Sequence, residues 1–408
     1  LDVLSRTIEQ IATSLLTPES RAEAIDVVLE RVCALVVSGG FSLARFRVLV
    51  LTKHPEVAGV MYDWRRGDAG APGAVTVERF GHEILASPDY LGSPIELAQR
   101  SERRVRVRRD DPDRPRYPRV EALFADGATD YIAEPLRFGD GRISVATMTS
   151  DAPGGFSNDD VALLDRIAPT MALRTELRSM RYAMESLLAI YLGDPAAERV
   201  RSGAFRRGGG EALSAVVWFC DLNGFTELAD RLPARELVSR LDAFFEEVAG
   251  AVEDHGGEVL KFIGDAALAV FRFDHAAPDS AEDACRRAVA AAEVAQARVA
   301  RLPAAPSFAV ALHVGEVLYG NLGGRRRLDF TVIGAAVNET SRLQSIAKAR
   351  GEAVLMSTPV AAAVPGRVED LGEHALRGVR RPLRVFALRS PGYDLPQLPP
   401  VIGPEGDV

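Results

Sequence analysis

Two aspartates stand out by their position in the chain. Asp221 closes the apolar run VVWFCD, and Asp265 interrupts another, LKFIGDAALAVF. A carboxylate at a strand end or hairpin tip is either an inert surface charge or half of an oxygen-rich cation site. Two of them in one sheet domain can converge on Mg²⁺ or Mn²⁺, hard ions that favour carboxylate oxygens, and such ions can activate an oxygen nucleophile and neutralise phosphates. Lys261 lies four residues before Asp265 among Leu260, Phe262 and Ile263. It either snorkels off the sheet face or donates a hydrogen bond to a ligand at the sheet edge. Asn338 and Arg342 are four apart on a candidate helix and share a face. They read as a surface cap and ion pair, or as a ribose-orienting amide beside a phosphate-binding guanidinium.

The elements that must position these residues fall in the second half of the chain. Ser214–Cys220 reads as a strand ending at Asp221, and Pro233 opens a helix that runs to about Val252. Glu258–Ile263 and Ala266–Phe271 flank Gly264–Asp265 as a hairpin. Ser280–Ala300 reads as an alanine-rich helix, Phe308–Val314 as a strand, Val317–Tyr319 as its continuation in the sheet, and Ala335–Ala347 as a helix. This alternation predicts an α+β sandwich with helices on one sheet face. His313, in an apolar strand, reads as a packed or hydrogen-bonded core histidine rather than a ligand.

The first half has a different character. Thr17–Val37 reads as one amphipathic helix, Phe41–Leu51 and Val57–Tyr62 as strands. Residues 102–118 are charged and proline-containing, which reads as a solvated edge strand and loop, with a basic ligand patch as the alternative. A helix near Tyr117–Asp126 precedes a strand pair, Asp130–Phe138 and Ile143–Thr149, around the turn Gly139–Asp140–Gly141. Ser157 then caps a helix with Asp159 and Asp160 in its first turn. This strand–turn–strand–helix ending, with Pro135–Leu136, Gly141 and Phe156–Asp160, resembles a GAF domain, a small-molecule sensor or dimerisation module. Between the halves, Leu173, Leu177, Met180, Met184, Leu187 and Tyr191 follow the alternating four–three rhythm of a coiled-coil seam. Pro169 is expected to kink or restart that helix, and Gly193, Pro195, Gly203 and Gly208–Gly210 to end it.

Composition excludes several classes. The 408 residues carry 49 basic and 57 acidic side chains, a formal charge of −8, and three widely spaced cysteines. Global attraction to nucleic acid, a disulfide framework and a cysteine metal site are not expected. No apolar run approaches the roughly 18 residues of a membrane span, and the N-terminus does not read as a signal peptide, so a cytoplasmic protein is expected. The chain begins at Leu1, which reads as a fragment or a missing start.

The segments FCDLNGFTELAD (219–230), GGEVLKFIGDAALAVF (256–271), VALHVGEVLYGNLGG (310–324) and LDFTVIGAAVNETSRLQ (328–344) together resemble the catalytic domain of class III nucleotide cyclases, in that family's order and spacing. The late element EHALRGVRRPLRVFAL (373–388) extends the likeness. The resemblance implies a ferredoxin-like catalytic domain over 211–390, after a GAF-like domain (1–169) and a helical coiled-coil linker (170–210), with a flexible tail (391–408).

It further implies a head-to-tail homodimer with two composite sites. Asp221, Asp265 and the Leu222 carbonyl of one subunit would bind two divalent ions, Mg²⁺ or Mn²⁺. Lys261 and Thr331 of the other would read the base, Asn338 would orient the ribose, and Arg342 would stabilise phosphate charge. Gly224, Phe225 and Thr226 would present backbone N–H groups to the triphosphate, and Arg325–Arg327 would lie on an arm that meets the partner. A lysine donor suits adenine N1 and a threonine oxygen can accept from its amine, whereas guanylate-forming relatives usually place Glu and Cys there. ATP is therefore the expected substrate and cyclic AMP with pyrophosphate the products. Thr331 marks a subgroup in which bicarbonate stimulation is frequent. A guanylate cyclase and a catalytically silent nucleotide-binding module are the alternatives; a polymerase-like role lacks a basic template surface.

Overall fold

The computed structural model describes residues 3–55, 57–67, 73–203, 208–274, 276–277, 280–379 and 381–389. The expected tail from 391 onward lies outside these. The chain divides into two compact units, Leu1–Leu187 and Leu188–Val408.

In the first unit the order is α1 (Val3–Leu16), α2 (Pro18–Ala22), α3 (Ile25–Ser38), β1 (Arg45–Leu51), β2 (Val57–Arg65), β3 (Ala74–Gly81), a short 3₁₀ helix (His82–Ala86), α4 (Pro94–Ser101), β4 (Val105–Arg108), α5 (Pro118–Ala125), β5 (Asp130–Arg137), β6 (Ile143–Ser150) and the start of α6 (Asn158–Leu192). The strands form an antiparallel sheet in the order β3-β2-β1-β6-β5-β4. Helices α1, α3 and α6 bury one face over Val48, Val50, Tyr62, Trp64, Ile132 and Met148; α4 and α5 cover part of the other.

The single helix expected over Thr17–Val37 is two. Thr17 caps α2, accepting from the Ser20 N–H at 3.2 Å, and the backbone is extended at Glu23 and Ala24. The buried Arg174 guanidinium donates to the Ser20 and Glu23 carbonyls at 3.0 and 3.2 Å, which satisfies acceptors the break exposes. Pro169 neither ends nor restarts α6, which runs 35 residues through it. Proline costs that helix a hydrogen bond to the residue 165 carbonyl, and burial of Leu163, Leu164, Ile167, Ala168, Met171 and Ala172 keeps it continuous. The charged run at 102–118 is indeed an edge: β4 ends the sheet. Five of its seven arginines form ion pairs among the described residues, Arg104 with Glu134 and Asp165, Arg106 with Asp130, Arg108 with Asp110, and Arg114 and Arg116 with Glu121, which favours the solvated-edge reading over a basic ligand patch.

The second unit contains the end of α6, then α7 (Asp194–Arg201), β7 (Gly210–Leu222), α8 (Phe225–Arg231), α9 (Ala234–Asp254), β8 (Glu258–Ile263), β9 (Ala266–Phe273), α10 (Ser280–Val299), β10 (Phe308–Gly323), β11 (Leu328–Ile333), α11 (Ala335–Arg350), β12 (Val354–Ser357), α12 (Thr358–Ala362), β13 (Val368–His374) and β14 (Leu383–Leu388). The sheet order is β13-β14-β12-β10-β7-β9-β8, with β11 paired to β10. Helix resumes in α7 after Gly193, and α8 has no counterpart among the expected elements. Strand β10 is continuous over the two segments read separately.

Helices cover both sheet faces, not one. Trp218, Cys220, Phe271, Val310 and Leu312 pack under α9, α10 and α12. On the other face Ala309, Ala311, Leu355 and Val385 meet Leu343 and Ala347 of α11. The reason is legible in FAVAL: an apolar run without alternation demands cover on both sides. Among the described residues, no helix is long and apolar enough to cross a membrane.

Gly315 sets how closely α11 lies on β10, because a Cβ there would stand 2.5 Å from the Ala336 Cβ. G315A should therefore lower stability by about 1–3 kcal/mol through overpacking, read as a lower urea midpoint.

Candidate active site

Side-chain alternation along β7 sends Val216, Trp218, Cys220 and Leu222 to one face and Asp221, with Ala215, Val217 and Phe219, to the face that carries α11. Asp221 pairs in register with Ala266 of β9, and the β8–β9 turn is the two residues Gly264–Asp265. Gly264, at φ +64°, takes the left-handed conformation that so tight a connection requires. The register thus delivers Asp265 beside Asp221. Burial, and next the charge of Asp221, raise the Asp265 carboxyl above its ordinary value.

A third group completes this corner. Lys348, in the last turn of α11, donates to Asp221 Oδ1 at 2.8 Å and to the Leu222 carbonyl at 2.7 Å. Two carboxylates and a backbone carbonyl, here gathered beside the Lys348 ammonium, are a set of oxygen donors that fits a cation, and their all-oxygen character suits a hard divalent ion. Among the described residues no cluster of three His, Cys, Asp or Glu forms a metal site, so the remaining ligands of an ion here would be water or substrate.

The residues expected to read the base lie elsewhere. Lys261 of β8 donates to Asp329 of β11 at 2.7 Å, and Thr331 follows two residues later on that strand. Thr331 is buried, and its hydroxyl has no hydrogen-bond partner among the described residues. Asn338 and Arg342 lie on α11. Among the described residues, no hydrogen bond or ion pair joins either of them, Lys261 or Thr331 to the Asp221–Asp265 pair. Gly224 begins α8 directly after β7, with Phe225 and Thr226 in its first turn. Arg325, Arg326 and Arg327 are exposed at the tip of the β10–β11 hairpin.

Residues 211–390 match the family model described as the adenylate and guanylate cyclase catalytic domain. The second half of the chain carries a cyclase catalytic domain. Its relatives include two uncharacterised proteins, Rv1319c of Mycobacterium tuberculosis and Mb1353c of Mycobacterium bovis, each 37% identical over 181 residues, which are 43% of this chain and 33% of that protein. The chain thus spans about a third of the length of these relatives. Among solved structures it is similar to the adenylyl cyclase CyaB from P. aeruginosa, at 25% identity and a TM-score of 0.39, covering 46% of this chain and 100% of that one. It is also similar to the guanylyl cyclase Cya2, at 27% identity and a TM-score of 0.37, covering 46% and 98%.

Two further residues of the cyclase domain join these groups, and one of them escapes a reading of the sequence. Lys348 has no local signal, since its role depends on how α11 lies against the end of β7. Asp329 is accessible from alternation, because in LDFTVI it shares a strand face with Thr331. Thiol chemistry has no foothold: Cys33, Cys220 and Cys285 are free and buried, and burial raises all three, Cys285 up to about 11.

His313 is the core histidine that its apolar strand suggested. It is buried, with Nε2 2.7 Å from Glu339, and Nδ1 has no hydrogen-bond partner among the described residues. A second proton would leave a buried N–H without an acceptor, and burial lowers the pKa despite Glu339. As pH falls, the unfolded chain then takes up this proton first, so stability should drop below about pH 6.5. Urea titrations across pH 5–8 should show a shallower drop in H313N than in the unaltered protein.

Proposed function

We propose that this protein is an adenylate cyclase that converts ATP to 3′,5′-cyclic AMP and pyrophosphate at a homodimer interface. The observation that carries this reading is the corner at the end of β7, where Asp221 and the Leu222 carbonyl hold the Lys348 ammonium beside Asp265. Two divalent ions bound there, Mg²⁺ or Mn²⁺, would supply activation of the ribose 3′-hydroxyl and neutralisation of the triphosphate.

The chain's own residues would do the positioning. Lys261, held by Asp329, donates to adenine N1, while the partnerless Thr331 hydroxyl accepts from the exocyclic amine. Asn338 orients the ribose so that its 3′-oxygen faces the α-phosphorus in line with the bond to be broken. Arg342 offsets charge that moves onto the bridging oxygen as pyrophosphate leaves. The N–H groups around Gly224, Phe225 and Thr226 face the phosphates. Asp329 is the feature that would suit guanine, whose N1–H and 2-amine are donors, but Lys261 occupies its carboxylate.

The need for a second copy is supported by separation and by surface. Within one chain the Lys261–Thr331 group does not bond to the carboxylate pair. Phe262 and Ile263 on β8, with Leu318, Leu322, Leu328 and Ile333 on the β10–β11 hairpin, are exposed apolar residues on the two elements that the Lys261–Asp329 pair joins. In the linker, Leu173, Met180, Met184 and Tyr191 are likewise exposed, which favours a parallel two-helix pairing along the 173–191 part of α6. The first unit is read as a GAF-like regulatory domain. A cavity lined by Arg47, Leu49, Met61, Phe80, Tyr90 and Arg119 is its candidate small-molecule site. The protein is read as cytoplasmic.

Purified protein with ATP and Mn²⁺ should yield cyclic AMP and pyrophosphate in equal amounts, with GTP the poorer substrate and bicarbonate stimulating at constant pH. Inactivity with both nucleotides and both ions would instead favour the silent nucleotide-binding module. D265A should lower turnover by roughly 100-fold or more while leaving the circular dichroism spectrum intact; retained activity would overturn the ion assignment. Removing residues 1–170 should change activity or dimerisation, and no change under any ligand tested would sink the regulatory reading.

A further inference from the structure

Lys348 is 40% exposed along its side chain, yet its ammonium is not left to water. It reaches two oxygens at once, Asp221 Oδ1 and the Leu222 carbonyl, and so gives up rotamer freedom that a solvent-facing lysine keeps. Its charge also acts on Asp265. These are the same oxygens that the proposed function assigns to a divalent ion, and the role of Lys348 rests on that reading. An ammonium and a divalent ion cannot share them: both need the same lone pairs, and their charges repel.

We propose that Lys348 is the resident cation of this corner, an internal counter-ion that holds Asp221 and the Leu222 carbonyl in the ion-free enzyme and must leave before a divalent ion can take those oxygens. The arrangement answers two requirements. Adjacent carboxylates need a compensating positive charge while no ion is bound, and a lysine supplies it from a flexible four-carbon stem that can swing away. Lys348 therefore sets how much divalent ion the site requires. Its position in the last turn of α11, beyond Asn338 and Arg342, ties that requirement to the helix that carries the two proposed catalytic groups.

The test is Mn²⁺ binding by the full-length, nucleotide-free protein, followed by the paramagnetic resonance of free Mn²⁺ and by calorimetry. K348M should bind Mn²⁺ about two- to fivefold more tightly, the scale of a partly exposed ion pair, and K348R should stay at the level of the unaltered protein. Without ion, K348M should melt at a lower temperature, because the carboxylates have lost their counter-charge, and Mn²⁺ should raise its melting temperature by more than it raises that of the unaltered protein. K348Q serves where K348M does not fold. Unchanged or weaker Mn²⁺ binding in the neutral variant overturns the proposal, as does equal tightening in K348R. D221N and D265N separate the two layers. If they leave Mn²⁺ binding intact, the ion site is elsewhere and the inference falls with it. If they abolish binding while K348M has no effect, the role of Lys348 alone fails.

Discussion

Two carboxylates held side by side are the constraint on which the catalytic unit depends. Like charges at hydrogen-bonding range repel, and nothing in Asp221 or Asp265 themselves keeps them together. The pairing of Asp221 with Ala266 does so, since it leaves Asp265 no place but the end of the same sheet. That register is in turn pinned by the wholly buried Trp218, Phe271 and Leu312, because slipping either strand by one residue would turn its apolar side chains to the wrong face. The hydrophobic core thus supplies the work that holds an electrostatically unfavourable arrangement in place.

The first unit offers an instructive contrast. Asp130 is fully buried, but Arg106 donates to it at 2.6 Å and the Phe156 N–H at 3.0 Å. Its charge is answered by its own chain, and its role is to tie the start of β5 to the entrance of α6. Asp265 has no comparable guanidinium among the described residues, only a neighbour of its own sign and an ammonium nearby. The two aspartates differ in how completely the protein compensates them, and an under-compensated acid is where a ligand has something to contribute.

Much of this is legible in the amino-acid order. The β8–β9 hairpin, β7, α9 and α10 follow from apolar runs, turn glycines and periodicity, and Asp221 and Asp265 from where they interrupt those runs. The rest depends on long-range packing. The break at Glu23–Ala24 is sustained by Arg174, 151 positions from Glu23. The cover on the second sheet face is set by alanines 309 and 311, which look like strand filler until α11 is placed on them. Lys348 meets Asp221 across 127 positions, a separation at which no spacing rule operates. Pro169 shows the opposite case, a strong local signal overridden by the burial of its helix.

Strand β10 runs unbroken for 16 residues, from Ala309, which pairs with Asp221, to the segment that pairs with β11 and Thr331. No loop separates the end of this strand beside the proposed ion site from the end beside the residues proposed to read the base. Such a strand has no hinge, so neither half of the machinery can be adjusted independently within a chain. In the proposed dimer, the degree of freedom left for control is how two stiff bodies are set against each other. A regulator acting there would behave as a caliper, opening or closing the span that one nucleotide must bridge.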